Sequence, residues 1–321
     1  MAVVKECIRA LEDSPLTNAG IGSQVNRDCK VECDASIVDG YTQNGASVCA
    51  VPDASNAIDI AHLLTIRGGP ACLAGEGALR WFIGNGGENA RRDLITESQR
   101  KMFAKRSALL GGRNTKSPDP DEEVAFDTVG AVVLLGGMIS AGVSSGGTFL
   151  KYPGRVGQAG VYGAGCWANH SVGISTSGTG EHLIRTLLAS RCVDALGIPS
   201  TTYDDTRNST PPVMRLQTFL ERNFVSSPLV SGEANPYGAA AGIIGIVYDE
   251  ASQSCDFVWA HTSANFMLAY SSGKSDRVHV KICSQPEIED IEKVKVYASG
   301  KTVRLRRGGN TPKEPNECAE N

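Results

Sequence analysis

No CxxC pair occurs in this chain, although it carries ten cysteines, at 7, 29, 33, 49, 72, 166, 192, 255, 283 and 318. Five histidines are present and none completes a zinc-type spacing with them, so no structural zinc module or thioredoxin-like redox motif is legible. Charge is nearly balanced, with 31 basic against 35 acidic residues and a net charge of −4, which excludes whole-surface attraction to nucleic acid. The longest apolar run, 129–143, is glycine-broken and shorter than the ~20 residues a membrane helix needs. No direct nucleic-acid or membrane partner is therefore expected. A secretory leader is not discernible either, so the cysteines are expected as reduced thiols in the cytosol or nucleus. On that basis the sequons Asn169-His170-Ser171 and Asn208-Ser209-Thr210 are expected to be chance. No cofactor is expected, and no metal-ligating set of side chains is evident. Gly20-Ile21-Gly22 lacks the lysine of a phosphate loop. Gly163-Ala-Gly-Cys-Trp-Ala168 fits a dinucleotide pattern but lacks its distant acidic residue.

What is present is a globular composition, 41% hydrophobic and 21% charged, with 36 glycines and a length suited to one large domain or two small ones. Val3–Leu11 has the apolar spacing of an amphipathic helix. Strands are expected at 31–38 and 44–51. A helix capped by Asp53 or Ser55 should bury Ile58, Ala61, His62 and Leu64. Another begins near Gly75. Residues 84–126 turn polar: the basic pairs Arg91-Arg92, Arg100-Lys101 and Lys105-Arg106 lie on a helical piece, and Gly111–Glu123 reads as loop. Its plain interpretation is a solvated linker; the sharper one is a flexible tail whose basic pairs act as a nuclear import signal. Beyond it, runs at 128–135 and 138–143 flank Gly136-Gly137, a two-residue hairpin signal. A strand at 170–177 leads to one long helix at 180–195. A helix at 212–222 and strands near 238–248, 255–262, 265–271 and 294–306 follow. Sheets covered by helices are expected.

The chemistry centres on Asp127-Thr128-Val-Gly-Ala-Val-Val133. A threonine opening an apolar strand is ordinarily just a β-branched residue in its preferred conformation. If the Asp127–Thr128 bond is cut, however, the new α-amine of Thr128, with a pKa near ~8, can serve as base to its own hydroxyl. Four segments could surround it. Ser144-Ser145-Gly-Gly147 places hydroxyls on a turn. Pro153-Gly-Arg155-Val-Gly-Gln158 sets a guanidinium among glycines, suited to a carboxylate. Ser175-Thr-Ser177-Gly178-Thr179-Gly180-Glu181 offers hydroxyls and N–H groups at a helix start. Asn18, followed by Ala19-Gly20, puts an amide on a turn as an oxyanion donor. Each also has an ordinary reading as turn, surface or cap. His182, in the first helical turn after Gly180, reads as a capping or packing residue.

Together with Leu11-Glu-Asp-Ser-Pro-Leu-Thr-Asn-Ala-Gly-Ile-Gly22, Glu32-Cys-Asp-Ala-Ser-Ile-Val-Asp-Gly40 and Gly163-Ala-Gly-Cys-Trp167, these motifs resemble, in order, the type 2 asparaginases and, more closely, their threonine aspartase (taspase) branch. The likeness covers about residues 3–195 well and Trp259-Ala-His-Thr-Ser263 more loosely. It implies a four-layer αββα N-terminal-nucleophile hydrolase, cleaved into an α part (1–127, with 84–126 a flexible polar tail) and a β part (128–321) that form one heterodimeric domain. A dimer of heterodimers is a further expected assembly.

By the same resemblance Thr128 is the nucleophile, Ser145 the hydroxyl beside it, and Ser177 with Gly178 the second hydroxyl and its backbone donor. Asn18 is an oxyanion donor, Arg155 binds a substrate carboxylate, and Gln158, Thr179 and Gly180 complete the substrate site. Carbonyls around Leu11–Ile21 match a loop that holds sodium in asparaginases. Small-substrate members carry an aspartate where Gln158 stands, to hold a free α-ammonium. Its replacement here, and Asp127 at the cut site, imply an endopeptidase cutting after aspartate in protein substrates such as transcription regulators, in the nucleus and cytoplasm. The alternatives are a β-aspartyl peptidase or asparaginase, and an inactive form that acts only by binding. The last follows from a strand and helix that family members carry before the point where this chain starts. Each buried backbone group left unpaired by their loss would cost ~1–3 kcal/mol, leaving the catalytic residues poorly assembled.

Overall fold

The computed structural model describes residues 1–89, 93–110, 128–197, 210–230, 238–273, 275–285 and 294–305. The chain opens with α1 (Ala2–Glu12), β1 (Glu32–Asp39), β2 (Gly45–Pro52), α2 (Ala57–Arg67), β3 (Cys72–Ala74), α3 (Gly75–Gly84) and α4 (Glu97–Leu110). After the undescribed 111–127 come β4 (Val129–Leu135), β5 (Met138–Ser145), β6 (Cys166–Ala168), β7 (Val172–Gly178), α5 (Gly180–Thr186) and α6 (Leu188–Leu196). The rest comprises α7 (Pro212–Leu220), β8 (Ala241–Asp249), β9 (Ser254–His261), β10 (Asn265–Ser272), β11 (Ser275–Ser284) and β12 (Tyr297–Arg304). Among the described residues no helix is long and apolar enough to cross a membrane.

Two five-stranded sheets, in the orders β3-β2-β1-β5-β4 and β12-β9-β8-β7-β6, stack face to face. Strand alternation explains why. On β5, Ile139, Ala141 and Val143 point inward and pack with Val38, Cys166 and Ile246 between the sheets. Its intervening residues face the helices, where Gly142 lets Val4 and Ile8 of α1 approach the strand. Helices α1 to α3 cover the first sheet and α6 and α7 the second, each over its own apolar core, which gives the αββα layering. The sheets approach closely at Gly130, where a Cβ would collide with the Ser175 hydroxyl of β7, and Ser175 Oγ bonds across to the Gly142 carbonyl at 2.9 Å.

The β4–β5 hairpin turns at Gly136-Gly137 with both φ positive (59° and 79°), as a two-residue primed turn demands. Elsewhere local signals give way to longer-range ones. The helix expected at 180–195 is two helices, broken at Leu187, whose backbone is left-handed at φ 45° and ψ 50°. Asn56, rather than Asp53 or Ser55, takes the N-cap position of α2, without a side-chain cap bond. His62 is half-buried rather than core. A further strand, β11, pairs with β10 in a separate hairpin whose Tyr270 stacks on Phe257 and Trp259 of β9. Of the basic pairs, Arg100-Lys101 and Lys105-Arg106 lie on α4, whereas Arg91-Arg92 and the 111–123 loop fall outside the described residues.

Candidate active site

Register builds the centre of the site. Val129 of β4 lies opposite Ser144 of β5, so Thr128, one residue earlier, meets Ser145 on the face that looks toward the second sheet. The Thr128 hydroxyl donates to Ser145 Oγ at 2.9 Å, and Ser145 Oγ also accepts the Gly147 N–H at 3.1 Å. Gln158 Nε2 donates to Thr128 Oγ1 at 3.2 Å. Ser145 and Gln158 are buried. Among the described residues these partners are hydroxyls and amides, none of them a base that could take its proton. Asp127 lies outside the described residues.

Asn18 clamps the turn behind Ser145. Its Nδ2 donates to the Gly147 carbonyl (2.7 Å), its Oδ1 accepts the Gln24 N–H (2.9 Å), and its own carbonyl accepts the Gly146 N–H (2.7 Å). One amide N–H therefore goes to positioning the turn. Beside it, the Pro15 and Thr17 carbonyls face Gly22, where a Cβ would lie 2.6 and 3.0 Å from them. Backbone oxygens are the donors a hard cation such as sodium takes, but these two press on Gly22 and do not frame an ion-sized space. The Leu11 and Glu12 carbonyls instead accept the Thr17 hydroxyl at 2.6 Å and the Ile21 N–H at 2.8 Å.

The opposite side is charged. Tyr152-Pro153-Gly154-Arg155 turns with Gly154 at φ 82° and an Arg155 N–H to Tyr152 carbonyl bond of 2.9 Å, a proline-glycine type II arrangement. Arg155 presents its Nε and Nη2 edge to Glu181, at 3.0, 2.8 and 2.9 Å over three hydrogen bonds. Its Nη1 end lies against Gly147 and Gly157. At Gly180, the first residue of α5, a Cβ would sit 2.6 Å from Arg155 Nη2 and 3.0 Å from Gln158 Oε1, so the missing side chain leaves a small recess between these two groups. Thr179 is the N-cap of α5 and its carbonyl accepts the His182 N–H; His182 is buried, with its ring nitrogen Nδ1 unpartnered. Ser177 shares the inward face of β7 with Ser175, and Gly178 ends the strand exposed, at φ 139°, where a Cβ would collide with the Ala240 carbonyl.

Three supporting residues escaped the sequence reading. Asp34, buried at a bulge of β1 and β2, accepts the Ala50 N–H and the Gly157 N–H, each at 2.7 Å, and so ties the sheet to the Arg155–Gln158 loop. Burial raises its carboxyl, and the nearby Lys151 ammonium works against that rise. Lys151, itself buried, donates to the Glu32 carbonyl at 2.6 Å. Glu12 is fully buried behind the β4–β5 hairpin, where Ser144 Oγ (2.5 Å) and the Ile58 N–H (3.2 Å) both donate to its Oε1. Burial pushes its carboxyl up to about 8 despite those bonds. No sequence signal marked them: Glu12 stands beside Asp13 and Ser14, Asp34 in a strand that also carries Glu32 and Asp39, and Lys151 in a loop.

A comparison with known families matches residues 1–204 to the asparaginase family model. Among curated relatives, the isoaspartyl peptidase of Escherichia coli K12 is 38% identical over 191 residues, 58% of this chain and 60% of the relative. The plant-type L-asparaginase of Thermococcus kodakarensis is 37% identical over 199 residues, 60% of this chain and 64% of the relative. The isoaspartyl peptidase/L-asparaginase of Macaca fascicularis is 37% identical over 189 residues, 58% and 60% respectively. The chain thus spans about 60% of the length of these relatives. With the matched span running from α1 through the Thr128 hairpin to the Arg155 loop and α5, the chain belongs to the asparaginase family of N-terminal-nucleophile hydrolases.

Proposed function

We propose that this protein is a self-processing threonine hydrolase that cleaves next to aspartate within a polypeptide. The observation that carries this reading is the Thr128 hydroxyl, bonded to Ser145 and Gln158 and, among the described residues, to no base. A nucleophile so placed needs a proton acceptor, and release of its own α-amine by cleavage at Asp127–Thr128 would supply one. In the first stage Thr128 Oγ1 attacks the Asp127 carbonyl, and water hydrolyses the resulting ester. In the second, Thr128 attacks the carbonyl after a substrate aspartate, and the α-amine carries the proton to the leaving amine. Asn18 Nδ2 and the Gly178 N–H are the oxyanion donors. The Arg155 end not used by Glu181 receives the aspartate carboxylate. The preference for an internal aspartate rests on Gln158: a neutral amide offers a free α-ammonium no charge to pair with. Taspase-like endopeptidase activity on protein substrates follows from this.

The relatives favour a second reading, isoaspartyl peptidase or asparaginase activity, because those are the activities in their names. Incubating the processed protein with an aspartate-containing peptide, a β-aspartyl dipeptide and free asparagine separates the two. Cleavage of the peptide at least ~10-fold faster in kcat/KM, a difference of about 1.4 kcal/mol, supports the first. Preferential turnover of the dipeptide or asparagine overturns it in favour of the second.

A further inference from the structure

Cys49 and Cys72 are free thiols whose sulfurs lie 3.5 Å apart. Cys72 sits exposed on β3, a three-residue strand at the edge of its sheet. Cys49 is buried in the irregular part of β2, beside Ala50, whose φ of 46° marks the bulge that Asp34 holds. The buried sulfur also touches the site. Cys49 Sγ lies 3.3 Å from the Gly160 carbonyl, and a Cβ on Gly160 would come within 2.9 Å of it. Gly160 closes the short 3-10 turn Gln158–Gly160, whose first residue donates to the Thr128 hydroxyl. A continuous line of contacts therefore runs from solvent at Cys72, through Cys49 and one helical turn, to the nucleophile.

We propose that Cys49 and Cys72 form an oxidative modification site, closed to a disulfide by a peroxide and opened by a dithiol. Cys72 meets the oxidant: its thiolate attacks one peroxide oxygen, the S–O bond forms as the O–O bond breaks, and hydroxide leaves and is protonated. Cys49 sulfur then attacks the Cys72 sulfenic acid. The S–S bond forms, the S–O bond breaks, and the departing hydroxide takes the Cys49 proton as water. Two thiols are oxidised by two electrons in all and one peroxide is reduced to two waters. Burial and the neighbouring Cys72 raise the Cys49 thiol, in keeping with its place as the second, resolving sulfur.

In the parallel register Ser47 faces Cys72 and Cys49 faces Ala74, so the two cysteines are diagonal neighbours. A bond between them needs the sulfurs to close from 3.5 Å to about 2.05 Å, and a dithiol reopens it by exchange. The three-residue β3 pairs with β2 on one side only and is the element expected to give. Drawing Cys49 Sγ toward Cys72 takes it from the Gly160 carbonyl and loosens the turn that aims Gln158. This last link rests on the role proposed above for Thr128 and Gln158; the disulfide itself does not.

The test treats the full chain with hydrogen peroxide, then maps thiols by alkylation, tryptic mass spectrometry and amide hydrogen exchange. The expected result is peptide 31–67 joined to 68–80 through Cys49, 2 Da lighter than the sum, with Cys33 still alkylatable and the link reversed by dithiothreitol. Exchange at 158–161 should quicken several-fold in the oxidised form. Cys72→Ser should abolish both changes while leaving reduced-state turnover as it was. Separately alkylatable Cys49 and Cys72 after peroxide, or a sulfinic acid at Cys72 without a partner, would overturn the site. A cross-link with unchanged exchange at 158–161 would overturn its coupling to the nucleophile. Loss of turnover on aspartyl substrates in every form, with the cross-link intact, would count against the proposed activity alone.

Discussion

The two sides of the site are built from opposite kinds of chemistry. Around Thr128 the contacts are neutral, a hydroxyl from Ser145 and an amide from Gln158. Around Arg155 they are ionic, with Glu181 on one edge of the guanidinium. Neutral donors and acceptors can fix an oxygen in place but cannot take up its proton, whereas a fixed charge binds without doing chemistry. On the reading proposed above, activation falls to an amine that only cleavage creates, and recognition to the guanidinium of Arg155. The supports differ likewise. The β4–β5 hairpin leans on the buried Glu12 through Ser144 of β5, and the arginine loop hangs from Asp34 through Gly157.

The largest expected effect comes from breaking the neutral side. Thr128→Ala should stop self-processing and lower turnover by at least ~10³-fold, since no other group replaces the nucleophile. Next is the charged side. Arg155→Ala leaves the exposed Glu181 without its ion pair and removes the proposed substrate partner, so KM should rise about 100-fold, roughly 3 kcal/mol, with processing less affected. Arg155→Lys should not restore it, because a point charge cannot hold Glu181 and a substrate carboxylate on separate edges. Steady-state kinetics on an aspartyl peptide checks both.

Glu12→Ala tests the support behind Thr128. It strands the Ser144 hydroxyl and the Ile58 N–H in a buried space, and urea unfolding should show a loss of roughly 2–4 kcal/mol. Glu12→Gln, which keeps one acceptor, should lose less.

The smallest effect is pH dependence. Burial alone would raise Glu181, but the charge and hydrogen bonds of Arg155 outweigh it and hold the carboxyl below its ordinary value. A carboxyl lowered on folding stabilises above its unfolded pKa, about 4.3 for glutamate, and loses that contribution as pH falls through the folded value. The Arg155–Glu181 pair is thus intact at neutral pH and opens only in acid below the usual glutamate range. Stability to urea should fall there in the wild type, while Glu181→Gln should lack that part of the acid loss; equal losses in both would assign it to another group.

Much of this frame was legible because it is local. Gly136-Gly137 specified a hairpin, the hairpin's register aligned Thr128 with Ser145, and Pro153-Gly154 specified the turn that carries Arg155. What escaped is non-local or hinges on a single backbone angle. Glu12 and Ser144 are 132 residues apart in sequence, and nothing in either motif announces the other. Asp34 reads as a strand residue until the bulge brings Ala50 and Gly157 to its two oxygens. The apolar spacing of 180–195 continues smoothly across Leu187, although the backbone reverses hand there. Arg155 was legible as a carboxylate ligand, but its first carboxylate is Glu181 of the same chain, a partner supplied by tertiary packing.

The most direct test of the central claim is intact mass with N-terminal sequencing of the purified wild type and Thr128→Ala proteins after incubation at neutral pH. The account predicts a new terminus reading Thr-Val-Gly-Ala in the wild type and a single uncut chain in the variant. An uncut wild type, or a Thr128→Ala chain cut at the same bond, would contradict it.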